Sequence, residues 1–201
     1  DPRSRAKLRG AFHHWIGLDH AEEIAKDTEH YPDYDKSLEA DLRTSLNIFL
    51  DNIVWQTAGA DFRKLLNSRH LPLNERLARL YGAQRVLGGT TIHLGEFGPS
   101  FFDHERAGLL THPYLLALYS YHNGTSPIHR GVFVTRHVLG RSLKPPPEAV
   151  VFKDEVFASD MTMREKVTQL TKPDACMTCH GIINPLGFAL EQFDGIGRLR
   201  K

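Results

Sequence analysis

The sequence predicts a mainly α-helical fold with few short strands, and three observations support this prediction. Apolar residues recur at helical spacing over residues 36–57. Asn74 and Gly82 are typical of the start and the end of a short helix, and Ser126-Pro127 of the start of another. Thr162-Met163-Arg164-Glu165 has the spacing of a capping box. The apolar positions of the first of these segments are Leu38, Leu42, Leu46, Phe49, Leu50 and Ile53.

Other elements follow from weaker local patterns. Residues 4–20 are predicted to form a first helix, and residues 84–110, rich in glycine with β-branched residues, to form short strands or an irregular loop. A final helix is expected to open at Pro173-Asp174 and to end at Gly181. Helices are also expected over 112–120, 127–139 and from 162 to about 170.

Composition excludes several classes of protein. Hydrophobic residues make up 41% and charged residues 24% of the 201 residues, as in ordinary globular proteins. The formal net charge of +1 gives no general attraction to nucleic acid. The longest apolar stretches are far shorter than a membrane span, so no transmembrane segment is expected.

The main chemical motif is Cys176-Met177-Thr178-Cys179-His180, which contains the only two cysteines of the chain. C-x-x-C-H is the attachment pattern of a c-type haem. The two thiols form thioethers with the haem vinyl groups, and His180 supplies an imidazole nitrogen to the iron as the proximal ligand. We therefore predict one covalently attached haem c.

Three other interpretations of the motif stay open. A zinc site would need two further ligands, and no second cysteine pair exists to supply them, although other histidines could contribute. A redox dithiol of the thioredoxin type should follow a strand in a βαβ pattern, which the sequence around 150–201 does not show. A structural disulfide across so short a loop would be strained and would stabilise little.

The second axial position of the iron has several candidates. No methionine follows Met177, so a distal ligand must come from upstream of the motif. Methionine would raise the reduction potential relative to histidine, whereas an open position would permit peroxide or oxygen chemistry. The candidate ligands are Met161, Met163, His122 and His129, with His112 and His137 on adjoining helices.

Further residues are candidates for the surroundings of the haem. The segment Asn184-Pro185-Leu186-Gly187 is predicted to turn the chain, and a carbonyl in this turn could accept the N–H of the proximal imidazole. Arg198 and Arg130 are candidate partners for the haem propionates, because a guanidinium matches a carboxylate in two-pronged geometry. Phe188, Leu190 and Phe193 could line the macrocycle or belong to the core.

Pro145-Pro146-Pro147 predicts an extended linker. We accordingly expect a helical body over residues 1–144. A small cytochrome c-like C-terminal haem segment is expected over residues 145–201.

The segment CMTCHGIINPLGFALEQFDGIGR, residues 176–198, resembles the C-terminal signature of planctomycete-type cytochrome-c-domain proteins, whose C-terminal modules are catalogued as domains of unknown function. The resemblance extends upstream to residues 75–82, 106–111, 125–133 and 139–147. It implies an exported haem protein and a chain that corresponds to the C-terminal part of larger proteins. It implies no assigned reaction.

These observations lead to one functional expectation and two alternatives. We expect an exported, periplasmic or cell-surface, monohaem protein that transfers single electrons to a redox partner protein or to other haem subunits. The chain begins at Asp1 without methionine, which suggests a processed product or a fragment of a larger protein. One alternative is a haem enzyme of peroxidase or oxygenase type with an open distal site. The other is a structural or assembly module in which haem is an anchor.

Overall fold

Helices form most of the secondary structure in the computed structural model, which describes residues 1–18, 24–55, 59–85, 96–102, 106–144 and 156–200. The mainly α fold class is therefore confirmed. The eight α-helices of these residues are α1 Pro2–Trp15, α2 Lys36–Trp55, α3 Lys64–Asn67, α4 Glu75–Tyr81, α5 Pro113–Leu118, α6 Pro127–Phe133, α7 Met163–Leu170 and α8 Asp174–Phe188. A turn of 3-10 helix at Leu109–Thr111 precedes α5, and a π-helical turn at Val134–Val138 continues α6.

The longest helix, α2, contributes the centre of the hydrophobic core. All six of its predicted apolar positions are buried, and they share one cluster with residues from β1, α4 and α5 and from the end of the described chain. Burial of a leucine or phenylalanine side chain stabilises a fold by about 1.5–3 kcal/mol. The members from the end of the chain are Leu190, Phe193 and Ile196, so α2 and the segment after α8 pack into one core.

A small antiparallel sheet lies beside this core. It has the strand order β1-β3-β2, with β1 His70–Leu73, β2 Gln84–Arg85 and β3 Gly98–Phe101. His70 pairs with Phe101 and Leu73 with Gly98, while Gln84 pairs with Phe101 from the other side. Short strands were predicted over 84–110, but β1 was missed. Residues 86–95 of that prediction lie outside the described residues.

Helix boundaries set by local side-chain chemistry agree with prediction. The Asn74 side chain accepts a hydrogen bond from the Leu77 N–H, and Gly82 ends α4 with φ 67°. The Ser126 hydroxyl caps α6. Thr162 and Glu165 form both hydrogen bonds of the predicted capping box at the start of α7. Such caps each stabilise a helix by about 1 kcal/mol.

Two predicted boundaries are wrong. The first helix ends at Trp15 and not near residue 20, because Gly17 adopts a positive φ of 76°. The last helix does not end at Gly181, and Asn184-Pro185-Leu186-Gly187 is not a turn, since α8 continues to Phe188 with Pro185 inside it. Proline at position 185 removes the helix hydrogen bond to the carbonyl of Gly181, a residue that is exposed to solvent.

Helix α8 packs closely against α6. A side chain on Gly131 of α6 would overlap the carbonyl oxygen of Ile183, and one on Gly187 of α8 would overlap that of Pro127. The two glycines therefore permit backbone-to-backbone contact at two points along the crossing. The predicted proline linker at 145–147 lies outside the described residues, so the division at 144/145 stays a prediction.

None of the helices in these described ranges is long and apolar enough to cross a membrane.

Candidate functional site on the last helix

The two cysteines and His180 lie in the first two turns of α8. A helix turns by about 100° per residue, so positions 176, 179 and 180 fall within about 100° of one another on one side. Both thiols are free and half-buried, and the imidazole is half-buried as well. This half of the helix therefore carries the three side chains on one side, partly within reach of solvent.

The imidazole of His180 has a defined partner. Its Nδ1 lies 2.9 Å from Oδ1 of Asn184, one turn further along α8. The amide nitrogen of Asn184 donates in turn to the hydroxyl of Thr171 at 2.8 Å. Asn184 and Thr171 are buried, with 6% and 4% of their surfaces exposed. This leaves Nε2 of His180 as the ring nitrogen that is free to bind a metal.

This donor set fits a covalently attached haem. The thiols are unpaired and accessible, and the imidazole offers one nitrogen to iron while the other is held by a hydrogen bond, as metal-binding histidines in proteins usually are. The residues that would hold the group are Cys176, Cys179 and His180.

The other interpretations of the motif find less support. Within the described part of the chain, no three His, Cys, Asp or Glu side chains, those of the motif included, are placed so that they could hold a metal ion, so a zinc site finds no ligand set there. The element before α8 is the helix α7 and not a strand, which differs from the thioredoxin arrangement.

The four distal candidates lie in two places. Met161 and Met163 are half-buried near the start of α7. The methyl group of Met163 lies close to Gly124, 3.7 Å from the position that a Cβ atom on that glycine would occupy. His122 and His129 are exposed, and the His129 ring meets the edge of Tyr121 with centroids 5.3 Å apart. The identity of the distal ligand stays a prediction.

His112 and His137 are both engaged elsewhere. His112 is fully buried: its Nδ1 accepts the Tyr114 N–H at 3.2 Å, and its Nε2 lies 3.3 Å from the Ser45 hydroxyl. Nδ1 of His137 contacts the carbonyl oxygen of Trp15.

Arg130 is placed in the interior, with 1% of its surface exposed. Its guanidinium donates to the carbonyls of Leu190 and Phe193, both at 2.9 Å, and pairs with Glu191 at 3.4 Å. Further bonds go to Leu116, Ser120 and Asp194. Burial lowers the pKa of this guanidinium to about 10. These contacts tie α6 to the segment after α8, and a role toward a propionate stays a prediction.

Arg198 is more accessible than Arg130. Its Nε donates to Asp194 at 2.7 Å, and another of its nitrogens lies 3.5 Å from Asp33. Of the three residues predicted to line the macrocycle or the core, Leu190 and Phe193 are in the core. Phe188 is half-buried. The guanidinium carbon of Arg164 lies over the Phe188 ring, 4.9 Å from the ring centroid.

The acceptor for the His180 N–H lies in the segment 184–187, as predicted, but it is not the main-chain carbonyl of a turn. The acceptor is the Asn184 side chain on a helix, and the supporting Thr171 was missed. The i, i+4 spacing of His180 and Asn184 could have predicted this hydrogen bond, because side chains four residues apart are neighbours on a helix. That prediction requires a helix that continues through Pro185.

Comparisons with known proteins give two family matches. Neither a curated protein nor a solved structure matches the chain. Residues 1–83 match the family model PSD4, described as a protein of unknown function (DUF1592). Residues 106–201 match the family model PSCyt3, also described as a protein of unknown function (DUF1588). The chain is thus similar to PSD4 proteins over its first part and to PSCyt3 proteins over the part that contains α5 to α8.

Proposed function

We propose that this chain holds one haem c through Cys176 and Cys179, with His180 as proximal ligand, and serves as an exported one-electron transfer protein. The observation that carries the proposal is the state of His180: it lies on the side of the helix that bears both thiols, and its Nδ1 is held by Asn184. When bound, haem iron supplies reversible one-electron chemistry.

The residues of the chain have separate tasks in this proposal. The two cysteines fix the macrocycle along the first turns of α8 by thioether bonds. His180 binds iron through Nε2, and the buried Asn184 holds its ring in place. Because thioether haem is normally attached outside the cytoplasm, the proposal includes export to the periplasm or the cell surface. The similarity to PSCyt3, a family of unknown function, neither adds to nor opposes this assignment.

An electron-transfer role is favoured over a purely structural one by the way the core closes. Helix α8 is held to α6 by the glycine contacts at 131 and 187 and by the buried Arg130, all made by protein groups. The residues Leu190, Phe193 and Ile196 belong to the same hydrophobic cluster of buried side chains as α2. These contacts all lie beyond the C-x-x-C-H motif, so the half of α8 that would hold the haem is not the half that anchors the helix.

The test is production of the chain in a host that exports it and attaches c-type haem. We expect a c-type band in the pyridine haemochrome spectrum and a mass increase of one haem. Cys176→Ala combined with Cys179→Ala should abolish covalent retention, whereas His180→Ala should keep the haem but change its spectrum. His30→Ala, at an exposed histidine that pairs with Asp27, is the matched control and should behave as the parent chain. Absence of haem from the parent chain would refute the proposal.

The same preparation distinguishes electron transfer from enzymatic haem chemistry. A six-coordinate low-spin spectrum that does not respond to carbon monoxide supports electron transfer. A high-spin ferric spectrum with rapid reaction with peroxide would overturn it in favour of a peroxidase-like or oxygenase-like enzyme.

A further inference from the structure

A chain of three hydrogen bonds leads from His180 to the main chain of α7. Nδ1 of His180 lies 2.9 Å from Asn184 Oδ1, and the Asn184 amide nitrogen donates to the Thr171 hydroxyl at 2.8 Å. The Thr171 hydroxyl donates to the carbonyl oxygen of Val167, also at 2.8 Å. We call these three side chains and this carbonyl the Thr171 relay.

The Val167 carbonyl, at the end of the relay, determines which group donates and which accepts in each hydrogen bond. A carbonyl oxygen only accepts, so the Thr171 hydroxyl must donate to Val167 and can only accept from Asn184. Asn184 must then present its NH₂ group to Thr171 and its carbonyl oxygen to His180. His180 consequently carries its proton on Nδ1, and the lone pair is on Nε2.

Burial gives the relay its strength. Asn184 and Thr171 are almost fully excluded from water, so neither can exchange its partner for solvent without leaving a buried polar group unsatisfied. The relay also joins two elements, since Thr171 follows the last turn of α7 while Asn184 and His180 belong to α8.

We propose that Thr171 and Asn184 are positioning residues that select the Nδ1–H tautomer of His180 and set how strongly Nε2 donates electrons to a bound iron. The tautomer part concerns the chain without haem, and the iron part rests on the function proposed above. A stronger acceptor at Asn184 makes the imidazole more basic and favours the ferric state, whereas a weaker one favours the ferrous state.

The first experiment measures the tautomer by ¹⁵N NMR of the haem-free chain at alkaline pH. The parent chain should show a protonated Nδ1 and an unprotonated Nε2. Thr171→Val removes the hydroxyl without changing the shape of the side chain, so the amide can rotate and the two nitrogen shifts should move toward each other. Thr171→Ser should restore the parent shifts. Identical shifts in the parent and Thr171→Val chains would overturn the tautomer part.

Thr168→Val is the matched control. Thr168 lies on the same helix, and its hydroxyl donates to the Arg164 carbonyl at 2.8 Å with the same i, i−4 geometry, but it is exposed and outside the relay. Thr168→Val should leave the His180 shifts unchanged. A shift as large as that of Thr171→Val would mean that the effect comes from α7 in general, and would overturn the assignment.

The second experiment measures the reduction potential of the haem-loaded variants. Asn184→Asp should lower the potential, Thr171→Val should raise it, and Thr168→Val should leave it unchanged, with circular dichroism confirming the same helix content. Equal potentials in all four chains would overturn the iron part. A parent chain that takes up no haem would refute the proposed function but leave the NMR result standing, so the two failures are distinguishable.

Discussion

Gly131 of α6 lies against the carbonyl oxygen of Ile183 in α8 so closely that a methyl group at position 131 would overlap that oxygen. Gly187 makes the reciprocal contact with the carbonyl of Pro127. The part of α8 that follows the C-x-x-C-H motif is therefore held at a fixed distance from α6 by the absence of two side chains.

Alanine at either glycine should destabilise the protein strongly. Gly131→Ala and Gly187→Ala must separate two backbones, for which we expect a loss of about 3 kcal/mol or more in the free energy of unfolding, measured by urea denaturation. Gly181→Ala is the control on the same helix, because that position is exposed and its nearest neighbour, the Met177 methyl group, is 4.0 Å away. It should stabilise by about 0.5–1 kcal/mol. Equal effects at 131 and 181 would contradict the close crossing.

Arg130→Lys should destabilise the haem-free chain by about 2–4 kcal/mol, because an ammonium group cannot replace the fork of donors that reaches Leu190, Phe193 and Glu191. Arg79→Lys provides the comparison. Arg79 forms an exposed ion pair with Glu75, so Arg79→Lys should lower the free energy of unfolding by less than about 0.5 kcal/mol. If Arg130 serves mainly a propionate, the haem-free variant will be as stable as the parent and only the haem-loaded protein will change.

Acidification should destabilise the fold through His112. Burial, with a contribution from Arg106, lowers the pKa of His112 to about 3, while the unfolded chain has a value of about 6.5. The unfolded state therefore binds more protons between these values, so stability is lost as the pH falls below about 6.5, by up to about 1.4 kcal/mol per pH unit. Protonation of Nδ1 also removes the acceptor that caps α5 through Tyr114.

His112→Asn checks this prediction. Asparagine is a good N-cap and does not titrate, so the variant should keep α5 and lose most of the dependence on pH between 6.5 and 5. Urea denaturation at both pH values is the measurement. Constant stability of the parent chain over that interval would contradict the prediction. An unchanged loss of stability in His112→Asn would assign the loss to another group.

Lys26 should make the stability of the fold depend on pH in a second, higher range. Its ammonium is buried and donates to the Tyr121 carbonyl at 2.9 Å, and burial followed by repulsion from Arg130 lowers its pKa to about 7. The unfolded state binds more protons from about pH 7 up to its ordinary pKa of about 10.4, so stability should rise with pH in this range. Lys26→Met should flatten the rise between pH 7.5 and 9. An unchanged slope in that variant would assign the effect to another group.

Much of the fold was predictable because its signals are local. The burial pattern of α2 depends only on the spacing of Leu38 to Ile53, and the ends of α4 depend on Asn74 and Gly82 themselves. Strand β1 was missed because His70–Leu73 contains a proline and is ordered by its pairing with β3, which no local pattern reveals.

The sequence predicts a chemistry for the site, which stays a prediction, but it does not predict the residues that support His180. Cys176, Cys179 and His180 are identified by spacing alone, whereas the continuation of α8 past Gly181 depends on the contact of Gly187 with α6. Once that contact holds the helix, Asn184 falls one turn from His180 and meets Thr171. The buried position of Arg130 is likewise a property of the assembled core and not of its neighbours in sequence.

The half of α8 that bears the thiols is only partly buried, whereas the half from Ile183 onward holds the helix to the rest of the chain. Under the proposed function, covalent attachment and folding are separable in time, because reaction at Cys176 and Cys179 would require no core contact to open. An enzyme that attached the proposed haem would need access only to the first two turns of α8.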